Sequence, residues 1–101
     1  MVDTDEMVTG SYDTALFEVL RQLRKSETAR LRVPPYIIFG DKALREMALY
    51  KPQSDDSFLE INGVGNKKLA QFGVLFMSVI ASFEKARLSL WSLYQLTEWL
   101  V

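Results

Sequence analysis

Val33-Pro34-Pro35-Tyr36-Ile37-Ile38-Phe39-Gly40-Asp41 is the stretch on which the fold turns. Consecutive prolines remove backbone donors and push the residue before them toward extended conformation, so no helix passes through Pro34-Pro35. The apolar run Tyr36-Ile37-Ile38-Phe39 that follows reads as a short strand by composition. A strand needs a partner, and no partner run is visible elsewhere in the chain. The run is therefore expected to be a loop or a helical turn, and the fold class is all-α, a compact bundle of about five helices.

On the N-terminal side, Leu16, Phe17, Leu20, Leu23 and Arg24 follow helical spacing, with Ser11 or Asp13 as the cap and an expected end near Ser26. Residues 1–11 lack periodicity and read as a linker or disordered arm, and residues 12–101 as a single domain. On the C-terminal side, Gly40-Asp41 opens a helix from Lys42 to about Tyr50 that Pro52 ends. Ser54 or Asp55 caps a short helix through Glu60, stopped by Asn62-Gly63-Val64-Gly65. From Asn66 onward, Leu69, Phe72, Phe76, Val79 or Ile80, and Phe83 repeat at three and four residues, the strongest periodic signal in the chain. A last helix is expected over residues 86–101, with Leu88, Leu90, Trp91, Leu93, Tyr94, Leu96, Trp99 and Leu100 on every side of its wheel.

Composition narrows the chemistry. With no cysteine and no histidine among 101 residues, disulfides, thiol nucleophiles, the usual zinc sites and imidazole acid-base work are excluded. Asp55-Asp56 and Glu60 bring carboxylates together at a helix start, but neighbours on a helix point apart and capping is the simpler job. No Gly-x-x-x-x-Gly-Lys-Ser/Thr nucleotide loop occurs. The domain is thus expected to be no enzyme, with no catalytic residue, metal or cofactor. No apolar run approaches the ~20 residues of a membrane span, and the acidic N-terminus is unlike a signal peptide, so a cytoplasmic setting without membrane contact is expected. Asp3, Asp5 and Glu6 account for much of the formal net charge of −1, so the remainder is weakly basic.

Leu16-Phe17-x-x-Leu20-x-x-Leu23-Arg24, then Val33-Pro34-Pro35-Tyr36-Ile37-Ile38-Phe39-x-Asp41, Leu44-x-x-Met47-Ala48 and Pro52 occur in that order. Ile61-Asn62-Gly63-Val64-Gly65-x-x-Lys68-Leu69-x-x-Phe72-Gly73-x-x-Phe76 follows. Together these resemble the HRDC family, the helicase-and-RNase-D C-terminal domain, over about residues 12–83. The Pro-Pro-Tyr-x-x-Phe form looks most like the domain of bacterial RecQ-type DNA helicases. The resemblance implies a helical bundle of the HRDC type, tethered to a helicase core, that contacts DNA weakly and tunes which structures the parent enzyme engages. It also admits an RNase D-like exoribonuclease as parent.

Weak binding of a single strand needs cations at phosphate spacing and a flat ring on which bases stack. Arg21, Arg24, Lys25, Arg30 and Arg32 lie close together and face only Glu27 in their own stretch, and Tyr36 follows. The resemblance gives Tyr36 a place on the DNA-contacting surface. A solvated basic face with Tyr36 covering the core is the alternative. Asp13-Thr14-Ala15 stands where related DNA-binding members carry cations, which thins the patch. Gly63, Gly65, Asn66, Lys67 and Lys68 resemble the hairpin of helix-hairpin-helix proteins, where free N–H groups and lysines favour a phosphate; a tight packing turn is the competing reading. Trp91, Tyr94 and Trp99 offer a third surface, for self-association or for docking on the parent's helicase core, against simple closure of the bundle. The expected partners are therefore single-stranded or partly single-stranded DNA, the parent's own core, and a second copy.

Overall fold

A computed structural model describes the backbone of residues 12–100 and the side chains of residues 12–88. The expected linker at residues 1–11 and the partner surface at Trp91, Tyr94 and Trp99 lie outside those described residues and side chains. Among the described residues the architecture is all-helical, as the sequence indicates. Helix α1 spans Thr14–Leu31, α2 Pro35–Ile38, α3 Asp41–Tyr50, α4 Asp55–Leu59 and α5 Asn66–Lys68. A π turn, Leu69–Gly73, joins α5 directly to α6, Val74–Leu100.

Local chemistry fixes the ends. Asp13 in extended conformation caps α1 by accepting the Leu16 N–H at 3.0 Å. The helix does not stop near Ser26: it continues to Leu31, since Glu27, Ala29 and Arg30 are good helix formers and Arg30 pairs back onto Glu27. It closes at Arg32, in the left-handed region at φ 57°. Pro35 starts α2 at the first-turn position where a missing N–H costs nothing. Ser54 and Ser57 bond reciprocally at the start of α4, a capping box made by two serines. Gly63 takes φ +82°, which only a residue without Cβ adopts freely.

The expectation of two separate C-terminal helices is corrected. Residues Glu84-Lys85-Ala86-Arg87 are helix formers with no glycine or proline among them, so α6 runs through without a break. In consequence one helical stretch among the described residues, Asn66–Leu88, is long and apolar enough to cross a membrane by length and composition, a length that the two shorter segments do not suggest. Part of its apolar surface is committed inward, because Phe72, Phe76 and Ile80 are buried.

The core gathers Leu16 and Leu20 of α1, Ile38 and Phe39, Ala43, Leu44, Met47 and Ala48 of α3, Phe58, Ile61 and the α6 stripe. Phe39 is its hub, 1% exposed and edge-on to Phe58 at 5.9 Å, Phe72 at 5.7 Å and Phe76 at 4.9 Å. The loop between α3 and α4 is stitched to α6 by Gln53 Nε2, which donates to the Met77 carbonyl at 3.1 Å.

A second fastening is ionic. Asp13 pairs with Arg87 of α6 and lies 3.7 Å from Lys51, which is itself 2.7 Å from Glu84. Burial pushes the Asp13 carboxyl up, but the Leu16 N–H, Arg87 and Lys51 outweigh it and hold its pKa below the ordinary aspartate value. The acidic start of α1 thus ties the beginning of the first helix to the last one.

Candidate nucleic-acid interface

The turn carrying Tyr36 divides its side chains by direction. Ile38 and Phe39 point into the core, whereas Tyr36 is 69% exposed and Ile37 47%. Tyr36 therefore does not cover the core with its ring. Shallow cavities lie beside the turn at Pro35, one of about 340 Å³ lined by Arg24, Pro35, Tyr36, Gly40 and Asp41. The other, of about 270 Å³, is lined by Arg21, Arg24, Lys25, Thr28 and Pro35. An exposed ring beside walls that carry guanidinium and ammonium groups has the components that stacking and phosphate attraction require.

The electrostatics are thinner than the sequence suggests. Arg21 is bonded to Glu18 at 2.9 Å, which raises its pKa, and Arg24 pairs with Asp41 at 2.8 Å. Arg30 holds Glu27 through both carboxylate oxygens, at 2.7 and 3.0 Å. This hydrogen bonding, aided by the charge, keeps the mostly buried Glu27 carboxyl below its ordinary pKa against the cost of burial. Five cations thus meet three carboxylates, a surplus of two. Lys25 and Arg32, both exposed, make no ion pair among the described residues.

Arg24 departs furthest from its expected role. It is 9% exposed, and its Nη1 donates to the Phe39 carbonyl oxygen at 3.0 Å as well as facing Asp41. A guanidinium so placed is built into the fold. The Glu18–Arg21 pair was legible as an i,i+3 spacing, but Asp41 stands seventeen positions from Arg24, and no local pattern signals their meeting.

The glycine turn leads into α5, whose Lys68 also reaches the hub. Gly65 precedes α5 with no side-chain cap, Asn66 and Lys67 are exposed, and Lys68 is half-buried with its Nζ 5.7 Å from the centre of the Phe39 ring. Phe39 thus receives Arg24 on its carbonyl and Lys68 over its ring, so the two candidate patches adjoin the same residue.

The fold and this surface define a small all-helical domain that displays an aromatic turn edged by cations. The HRDC domain family matches residues 13–80, and the chain belongs to that family. Over 71 residues it is 50% identical to the ATP-dependent DNA helicase RecQ of Haemophilus influenzae, a match covering 70% of this chain and 12% of the relative. The Bacillus subtilis ATP-dependent DNA helicase RecQ is 43% identical over 70 residues, covering 69% of this chain and 12% of the relative. The ATP-dependent DNA helicase UvrD2 of Mycobacterium tuberculosis is more distant, at 32% over 68 residues, covering 67% and 10%. The chain therefore spans only a small fraction of the length of the relatives it matches.

Proposed function

We propose that this domain is a non-catalytic accessory module of a RecQ-type DNA helicase, which grips single-stranded or partly single-stranded DNA weakly and biases the structures its parent engages. The exposed Tyr36 ring on its proline-built turn carries this reading. Lys25 and Arg32 supply the uncommitted charge on one side, and Lys67 with the N–H groups after Gly65 supplies it on the other. The few free cations account for weakness, since each neutralised phosphate adds a modest counterion-release contribution. The motor, and a cytoplasmic place on the bacterial chromosome, belong to the parent protein.

Titration of a labelled single-stranded oligonucleotide at low and moderate salt tests the proposal. Tyr36→Ala is expected to cost roughly 1–3 kcal/mol of binding through lost stacking. With about three phosphates neutralised, by Lys25, Arg32 and Lys67, log affinity should fall with log salt at a slope of roughly −2. Binding that ignores both salt and the substitution sinks the assignment.

A second reading rests on α6, where Val74 is 77% and Leu88 64% exposed. Here the domain works through protein contacts, with its own helicase core or a second copy, for which the sequence offers Trp91, Tyr94 and Trp99 as anchors. Sedimentation of the wild type against Trp91→Ala and Trp99→Ala separates the two readings. A strictly monomeric protein without affinity for the parent core counts against the second.

A further inference from the structure

Burying a guanidinium costs free energy unless the charge is paired and its donors are used. Arg24 pairs its charge through one nitrogen, Nη1, bonded to the Phe39 carbonyl at 3.0 Å and 2.8 Å from Asp41 Oδ1, and none of its nitrogens is among the buried atoms left without a partner. Those two acceptors flank Gly40, the residue joining the Tyr36 turn to α3. Arg24 therefore clips the downstream end of the turn to α1. The upstream end is held by the Val33 N–H, which donates to the Thr28 carbonyl at 3.3 Å. Between these clips the turn has its own bonds from the Ile37 N–H to Pro34 at 3.0 Å and from the Phe39 N–H to Pro35 at 3.3 Å. A segment this short does not hold its orientation alone. Arg24 also walls both cavities beside Pro35.

We infer that Arg24 is a positioning residue for the nucleic-acid surface: it sets the angle at which Tyr36 is presented and does not itself take a phosphate. The inference rests on the reading of Tyr36 as the stacking ring. It separates the cations of α1 into one that builds the site and others, Lys25 and Arg32, that face the ligand.

Arg24→Lys tests this in the whole domain, because lysine keeps the charge while its ammonium ends about 1.5 Å short of the guanidinium nitrogen. Amide hydrogen exchange at Ile37 and Phe39 is expected to quicken roughly tenfold, with Ile80 in α6 unchanged. Oligonucleotide affinity should fall by roughly tenfold in the wild-type background and by less than about twofold beside Tyr36→Ala, since Arg24 acts through that ring. Asp41→Asn, which removes the partner's charge at constant size, repeats the exchange comparison should Arg24→Lys fail to fold. Equal losses in both backgrounds identify a direct phosphate contact and overturn the inference, as does unaltered exchange in the turn. A Tyr36→Ala variant that binds like the wild type instead removes the reading on which the inference stands.

Discussion

Replacing Phe39 with leucine tests the proposition that one ring organises this small core. Leucine retains most of the apolar burial, so the loss falls chiefly on the three edge-on contacts with Phe58, Phe72 and Phe76. Each such pair contributes about 0.5–1.5 kcal/mol beyond its buried area, and the contacts share one ring and do not add fully. A net cost near ~2 kcal/mol follows, with a residual void adding to it because the site is 1% exposed and bounded by packed helices. For a domain of this length that corresponds to a fall in Tm of roughly 8–16 °C. Urea unfolding followed by far-UV circular dichroism reads it out, with Phe17→Leu as comparison. Phe17 is half-buried and has Tyr12 as its ring partner at 5.6 Å, so its cost should stay below about 1 kcal/mol. If Phe39→Leu costs no more than Phe17→Leu, the hub description is wrong.

Asp13 and Glu27 have carboxyls held below their ordinary pKa, so the stability they add is present above the usual carboxylate range and is lost as pH falls through the lowered values. Thermal melts at pH 7 and pH 3 should show that loss, and Asp13→Asn, which keeps the cap but not the charge, should flatten it. Asp13→Ala should cost about 1 kcal/mol more than Asp13→Asn at neutral pH by loss of the cap, measured by chemical denaturation. Gly63→Ala, at φ +82°, is expected to destabilise by roughly 1 kcal/mol. Gly65→Ala, at φ −110° with open space around its Cβ, should leave Tm nearly unchanged. Ala86→Pro should cost about 3 kcal/mol or more, by breaking α6 in mid-course, and a neutral effect in the same melts refutes the continuity of that helix.

The helical class was legible because Pro34-Pro35 isolates the one strand-like run and because the stripe from Leu69 to Phe83 has a single period. Helix starts were legible wherever a side chain carries them, as at Asp13 and Ser54. Extents were less so: α1 passes Ser26 and α6 passes Ala86, since helix formers that lie outside an apolar stripe continue a helix without announcing it. For the surface, the exposure of Tyr36 fits the stacking role that the resemblance implies for it. The charge around it departs from the reading by spacing, because Arg24 and Asp41 meet only in the folded chain and the spare charge they seemed to leave is spent there.

The π turn at Leu69–Gly73 has a consequence for heredity as much as for packing. Gly73 makes room there for the Leu69 side chain, whose Cδ1 lies 2.7 Å from where a Cβ on residue 73 would stand. Each residue of an α-helix advances the azimuth by about 100°, but a π turn winds more widely, so it absorbs one surplus residue and leaves the phase of the segments it joins almost unchanged. Lys67 and Lys68 lie before it, and Phe76 and Ile80 after it. Deleting Ala70 would restore ordinary winding and leave the lysines close to their present azimuth, with Phe76 and Ile80 in register. A single codon lost at this point is absorbed by the winding of the helix, and the rearrangement falls on Leu69 and Phe72 within the turn, leaving the direction of the charged end nearly as it was.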